Sequence, residues 1–345
     1  MIKKLSSAFV LASLLLFAII FPTPAGSQTI NLNKTYSWKL VSPMAAGQNT
    51  NIGIVAFAKQ LEQRTGGKVK ITLYESTLGA PSDHWDMAKN NAVQFAFTSD
   101  MYNASRMPIL SMIGLPMEVP DAKDAWVTAN EWLKAGYLKE LTDNFKVLWF
   151  QSSSPLSMYF RKNKPSKQDD FKGMKIRCGS PVQCQAMGVL GASGVSMPGG
   201  EVYMALQTGV VDGTITGIDV AVDRKFYEVA KNVLKQNLIF GMFVFLMNKE
   251  TWNSLPPELQ KLVDQAAKDV NTADMERRYN EDKTLVSTYE KRGGEFYSIS
   301  KEEFNKWRQL IRPNSEKYVQ DLAAKGHPAK EALTIMRKVA AAQEK

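Results

Sequence analysis

Short apolar segments with a two-residue alternation recur along this chain, and stretches of helical periodicity separate them. The first strand is expected near 36–41. Ile54, Phe57 and Leu61 then fall on one helical face, in a helix stopped by Gly66-Gly67. Val69, Ile71 and Leu73 alternate with polar neighbours as the next strand, a second helix is expected about 82–90, and 93–97 is an apolar strand. Trp126, Leu133 and Tyr137 mark another amphipathic helix before a strand at 147–150. Helices alternating with short apolar strands predict an α/β sheet covered on both faces.

The polar, irregular segment 151–168 reads as a crossing into a second α/β lobe, and an apolar strand near 240–247 as a return to the first. A helical pattern follows from about Pro257 to Lys291 and breaks at Gly293-Gly294. At 1.5 Å per residue it extends roughly 50 Å, more than one lobe needs. A coiled coil is the generic explanation, but Leu259, Leu262, Val263, Ala266 and Val270 sustain an apolar face over only part of the length. Further helices are expected on the outside over 301–342.

The densest pattern is 173–213, an alternation of strand, helix, strand, helix and strand. Met174 and Ile176 alternate with Lys175 and Arg177, a short helix covers 185–190, and 195–197 is apolar again. A helix over 201–206 is stopped by Gly209, and another strand begins at 210–213. Arg177 stands where the first of these strands should end. In open α/β sheets ligands bind beyond the carboxyl ends of strands, and a planar, permanently charged fork suits a carboxylate there. The alternative role is a structural ion pair with Glu201 or Asp212.

This stretch resembles the core signature of the DctP-like solute-binding proteins of tripartite ATP-independent periplasmic (TRAP) transporters. The lead-in is Asp170-Phe171-Lys172-Gly173, the arginine is Arg177, and the run from Glu201 to Gly213 reads Glu-Val-Tyr-Met-Ala-Leu-Gln-Thr-Gly-Val-Val-Asp-Gly. Further landmarks match in order: Trp38-Lys39-Leu40, Thr65 to Ile71, Lys225 to Val229, and Trp252 to Pro256. The resemblance implies a two-lobed periplasmic-binding-protein fold of the α/β class, with a hinge and a long helix spanning both lobes. The expected division is a signal peptide over 1–28, a first lobe of 29–152 plus 243–281, and a second of 153–242 plus 282–345.

It also implies that Arg177 clamps a substrate carboxylate, with Gly179 just beyond it. Where the sialate binders of the family carry a second arginine, this chain has Ser157; where they carry an asparagine, it has Thr216, followed by Gly217. Sialate is therefore not the expected ligand. The Pro198-Gly199-Gly200-Glu201 turn replaces a bulkier pattern that holds a pocket phenylalanine, so another wall is required. Trp85, Tyr102, Met242 and Phe243 are candidates for it, each with core packing as the alternative. Glu75 matches a family position near the ligand, and Gln151 and Ser152 end a strand that faces the cleft. The implied function is capture of a small organic acid for the integral-membrane subunits of a TRAP transporter, without cofactor or metal. The receptor of an ATP-driven importer or a sensory system, or an exported hydrolase, are the alternatives. One arginine and a partly apolar pocket suit a monocarboxylate, dicarboxylate, keto acid or aromatic acid equally.

At 345 residues the chain accommodates two ordinary domains. Lys3 and Lys4, an apolar run over 8–21 and a Pro- and Gly-containing exit over 22–27 have the form of a secretory signal, with Ala25 and Ser27 placed for cleavage. The other possibility, a retained anchor, is disfavoured because the run is shorter than the ~20 residues of a spanning helix. The product is expected to be periplasmic. Net charge is +9, but the lysines are scattered, which with export speaks against nucleic acid. Cys178 and Cys184 flank the arginine motif, either bridged or as two small thiols. The two histidines, His84 and His327, lie far apart, and neither a Gly-x-Ser-x-Gly elbow nor a phosphate loop occurs.

Overall fold

The structure is a computed structural model that describes residues 32–343. The expected signal peptide lies outside the described residues. The first lobe is built from β1 (Tyr36–Ser42), α1 (Ile52–Arg64), β2 (Val69–Glu75), α2 (His84–Lys89), β3 (Phe95–Ser99), α3 (Ala122–Lys134), α4 (Lys139–Asn144) and β4 (Phe145–Ser152). The second takes β5 (Leu156–Phe160), β6 (Lys175–Cys178), α5 (Pro181–Leu190), β7 (Ser193–Ser196), α6 (Val202–Thr208), β8 (Gly213–Gly217), α7 (Ile218–Asp223) and β9 (Asn232–Ile239). The chain then returns through β10 (Met242–Asn248) and α8 (Lys249–Asn253) to α9 (Pro257–Lys291), followed by β11 (Glu295–Tyr297), α10 (Lys301–Ala324) and α11 (Ala329–Gln343).

Two sheets result, ordered β2-β1-β3-β10-β4 and β11-β9-β5-β8-β6-β7. In the first, β2, β1 and β3 run parallel and β10 is antiparallel to both its neighbours. Every residue of β3 and β10 is buried, because helices cover both faces. On one face Phe57 of α1 sits edge-on to Phe95, Trp149 and Phe245. In the second sheet β6 lies parallel between β7 and β8.

The chain passes between the sheets at 153–155 and at 240–241. These passages are tied to each other: Ser153 N donates to Gly241 O at 2.8 Å, and Gly241 N to Ser153 Oγ at 2.9 Å. They form the hinge. Gly241 leaves room for the Met101 side chain, which a Cβ there would meet at 2.7 Å.

The long helix predicted over 257–291 is α9. Its first half buries Leu259, Val263, Ala266 and Val270 in the first lobe, and Tyr289 near its end is buried in the second. Arg278 donates to Ser152 O at 2.7 Å and Ser154 Oγ donates to Asp282 at 2.8 Å, so the helix is fastened to the hinge midway.

The C-terminal helices differ from the expected division, which placed 282–345 in the second lobe. Trp307 and Ile311 of α10 pack in the second core, whereas Val319 and Leu322 of the same helix pack in the first. All of α11 follows them to the first lobe. Ala329, Ala332, Leu333 and Met336 form one apolar stripe against α3, and Trp132 Nε1 donates to Ala332 O at 2.8 Å.

Candidate functional site

Alternation along β6 decides where Arg177 points. Ile176 and Cys178 enter the second-lobe core, so Arg177 projects from the opposite face, level with Thr214 of β8. Its Nε and Nη2 both donate to Met197 O, at 3.1 and 3.0 Å, and Nη1 donates to Ile215 O at 3.4 Å. Three of the five guanidinium N–H groups are thus spent on main-chain carbonyls, which fixes the plane of the fork. One N–H on each terminal nitrogen remains. Among the described residues no carboxylate pairs with Arg177. Of the two partners considered for a structural ion pair, Asp212 instead accepts from Lys175 N at 2.8 Å. Burial pulls the Arg177 pKa below the usual arginine value, and the like charge of Arg224 acts in the same direction.

Gly179 lies against this fork: a Cβ there would stand 3.5 Å from Arg177 Nη1. Thr216, nearly buried in β8, shares the Arg177 face of the sheet, as does Ser157 opposite it in β5. Gly217 turns the chain from β8 into α7, where a side chain would collide with Asp219 and approach the hinge residue Ser154 at 3.4 Å. At the end of α7 stands Arg224, which the sequence reading did not single out. Its guanidinium lies against the 198–201 turn, 3.1 Å from the position of a Gly199 Cβ.

The first lobe faces this site with the loop after β3. Tyr102 is 39% exposed. Its phenol is pushed up by burial and pulled back by Arg224 and then Arg177, so its hydroxyl lies near both cations. Beside it Asp100 is fully enclosed. Its carboxylate accepts from Met242 N at 2.8 Å and Ser99 Oγ at 3.0 Å, and burial raises its pKa to about 6. Glu75, at the end of β2, accepts from Asn51 Nδ2 at 2.8 Å, and Asn51 in turn accepts from Ser42 Oγ at 2.6 Å. Asn51 is another residue the sequence reading missed. Ser152 closes β4 with its carbonyl held by Arg278 and its hydroxyl donating to Ser153 O at 3.1 Å.

Other candidates are placed away from the fork. Trp85 is buried in the first-lobe core, edge-on to Phe145 at 4.8 Å. Met242 is wholly buried in the same core, and only its main chain, through Asp100, adjoins the cleft loop. Phe243 stacks on Phe97 at 5.1 Å. Of the four wall candidates Tyr102 alone reaches the cleft. Trp85 is on the buried face of α2, and Met242 and Phe243 on β10, covered on both faces, have only the two cores to enter. His84 is also a core residue, its Nε2 3.0 Å from Leu78 O and its pKa lowered by burial. Cys178 and Cys184 are free thiols; burial raises the pKa of Cys178, and contact with Cys184 adds to it.

A separate hollow of about 970 Å³ lies under α9 beside the hinge, lined among others by Trp126, Ser157, Lys235, Met275 and Phe296. Arg177, Arg224 and Tyr102 do not border it. The cleft at the strand ends, with its fixed cations, is the place suited to an anion.

The model of the bacterial extracellular solute-binding protein family 7 matches residues 41–321. The chain belongs to that family. It is similar to the C4-dicarboxylate-binding periplasmic protein DctP of Rhodobacter capsulatus, 29% identical over 56% of this chain and 55% of that protein. The sialic acid-binding periplasmic protein SiaP of Vibrio cholerae is 22% identical over 89% of this chain and 97% of its own. Among solved structures, a TRAP solute-binding protein of Rhodoferax ferrireducens with copurified benzoate superposes with a TM-score of 0.79 at 24% identity, covering 90% of this chain and 99% of that one. The two-lobed fold is shared.

Proposed function

We propose that this protein captures a small organic acid between its lobes and presents it to the membrane subunits of a TRAP-type secondary transporter. The observation that carries the reading is Arg177. A half-buried guanidinium, braced by Met197 O and Ile215 O, keeps two N–H groups and its charge for a ligand. Such a cation has a large unmet demand for an anion, and a carboxylate fits it bidentately. Gly179 and Thr216 complete the second-lobe wall; Tyr102, and Glu75 through Asn51, supply the first. Relatives that bind a C4-dicarboxylate and sialic acid support an acidic ligand.

The bodies that close are the two sheets with their helices: 32–152 and 242–281 joined by α11, against 156–239 and the chain from 282 into α10. Closure brings Tyr102 and the Arg177 fork onto one ligand, and that differential contact favours the closed form. The N-terminal segment directs export to the periplasm.

Calorimetric titration of an organic-acid panel tests the proposal. At least one acid binds the wild type, and Arg177→Ala weakens it by about a hundredfold or more. An acid that binds the variant as tightly as the wild type overturns the assignment.

A further inference from the structure

We infer that Arg224 is a second anionic anchor of the cleft, so that the ligand is a small diacid with one acidic group for each guanidinium. This deepens the acid-receptor function proposed above and rests on it. Arg224 caps the C-terminus of α7, and Lys225 after it adopts a left-handed backbone that turns the chain away. Its head lies in the notch at Gly199, where a Cβ would stand 3.1 Å from Nη1, 3.4 Å from Nη2 and 3.5 Å from Cζ. Gly199 does not have a left-handed backbone, so glycine is there for space and not for conformation.

Arg224 also lacks a paired counter-charge among the described residues. It is half-buried, yet among the described residues it makes no ion pair and no hydrogen bond. Asp223 beside it in sequence is exposed and turned towards Asp219 and Glu281, whose charges it feels more strongly than that of Arg224. A cation partly withdrawn from water gains from a counter-charge, and none is paired with it among the described residues. The like charge of Arg177 lies close enough to act on it, alongside the pull of Asp223. Two cations held side by side in a cleft repel until an anion lies between or across them.

Spacing sets the ligand. Met197 O holds Arg177 and Gly199 cradles Arg224, so the two heads are positioned two residues apart on one turn. That corresponds to about 7 Å of extended chain, which two carboxylates on a spacer of a few atoms can span. Tyr102 from the opposite lobe stands near both heads and covers such a ligand on closure.

The experiment pairs each diacid with its monoacid: succinate with butyrate, glutarate with valerate, isophthalate with benzoate. Each is titrated calorimetrically into wild-type protein, Arg224→Gln, Arg224→Lys and Gly199→Val. The wild type prefers the fitting diacid by about tenfold or more over its monoacid. Arg224→Gln brings that ratio close to one, since neutral glutamine removes the charged contact that only the second acidic group makes. Arg224→Lys recovers part of the preference. Gly199→Val, which displaces the Arg224 head without removing it, lowers the ratio as Arg224→Gln does. A monoacid bound as tightly as its diacid by the wild type, or a ratio untouched by Arg224→Gln, overturns the inference. In that case loss of acid binding in Arg177→Ala still upholds the receptor function; binding of no acid at all sinks both.

Discussion

Asp100 shows how a single buried carboxyl couples the cleft loop to the hinge. Its hydrogen bonds, from Met242 N and Ser99 Oγ and from the backbone at 100–101, do not offset the loss of water, and its pKa stands near 6 against an ordinary 3.8. Between those values the unfolded chain has released a proton that the folded chain still holds. Stability therefore falls as pH rises from about 4 to about 6 and is flat above, a contribution of roughly 3 kcal/mol for a shift of this size. Asp100→Asn keeps an acceptor for Met242 N but cannot titrate. The difference in melting temperature between wild type and variant should thus change steadily across pH 4–6 and stay constant from 7 to 8; a difference independent of pH would refute the assignment. The same scale separates what was legible in the sequence from what was not. Arg177 was legible because alternation along β6 and its place at a strand end follow from neighbours in sequence. Arg224 was not: its position depends on a side chain missing at Gly199, twenty-five residues earlier and on another loop. Trp85 and Met242, each weighed as pocket wall or core, lie in the core, because an apolar side chain on a covered helix or strand does not reveal by itself which surface it packs against.

At the scale of elements, α9 was readable from end to end, since Pro257 opens it and Gly293-Gly294 follows its last turn. The destination of α11 was hidden. An amphipathic stripe states that a helix has a buried face, but nothing about its partner. The structure ties α11 to the first lobe through Arg337, whose Nη2 and Nε donate to the two oxygens of Glu118 at 2.9 and 3.1 Å. Glu118 is only 2% exposed. Arg337→Ala strands that carboxylate in an apolar setting and should cost roughly 3 kcal/mol, near the lower end for a broken buried pair because Arg337 itself is partly solvated. Adding Glu118→Gln should recover much of the loss. Chemical denaturation of the two single variants and the double variant measures this coupling. A purely additive result would mean that the helix is held by its apolar stripe alone.

For the whole molecule, closure has to deform whatever joins the lobes, and four connections do so: the two tied hinge passages, α9 and α10. The hinge passages are short and the strain there falls on few torsions. The two helices present a different problem, since an unbroken hydrogen-bonded helix resists bending. In α10 the crossing is marked by Pro313, between Ile311 in the second core and Val319 in the first. Proline removes the donor to the preceding turn and crowds its carbonyl, so the helix bends there at little further cost. Pro313→Ala restores that bond and stiffens the crossing. The expected outcome is a higher melting temperature without ligand together with weaker binding, because the ligand must then drive a costlier bend. Small-angle scattering should show less compaction on addition of a bound acid. Should the variant melt higher yet bind and compact like the wild type, α10 travels with one lobe as a rigid strut, and the motion is confined to the paired strands at Ser153 and Gly241.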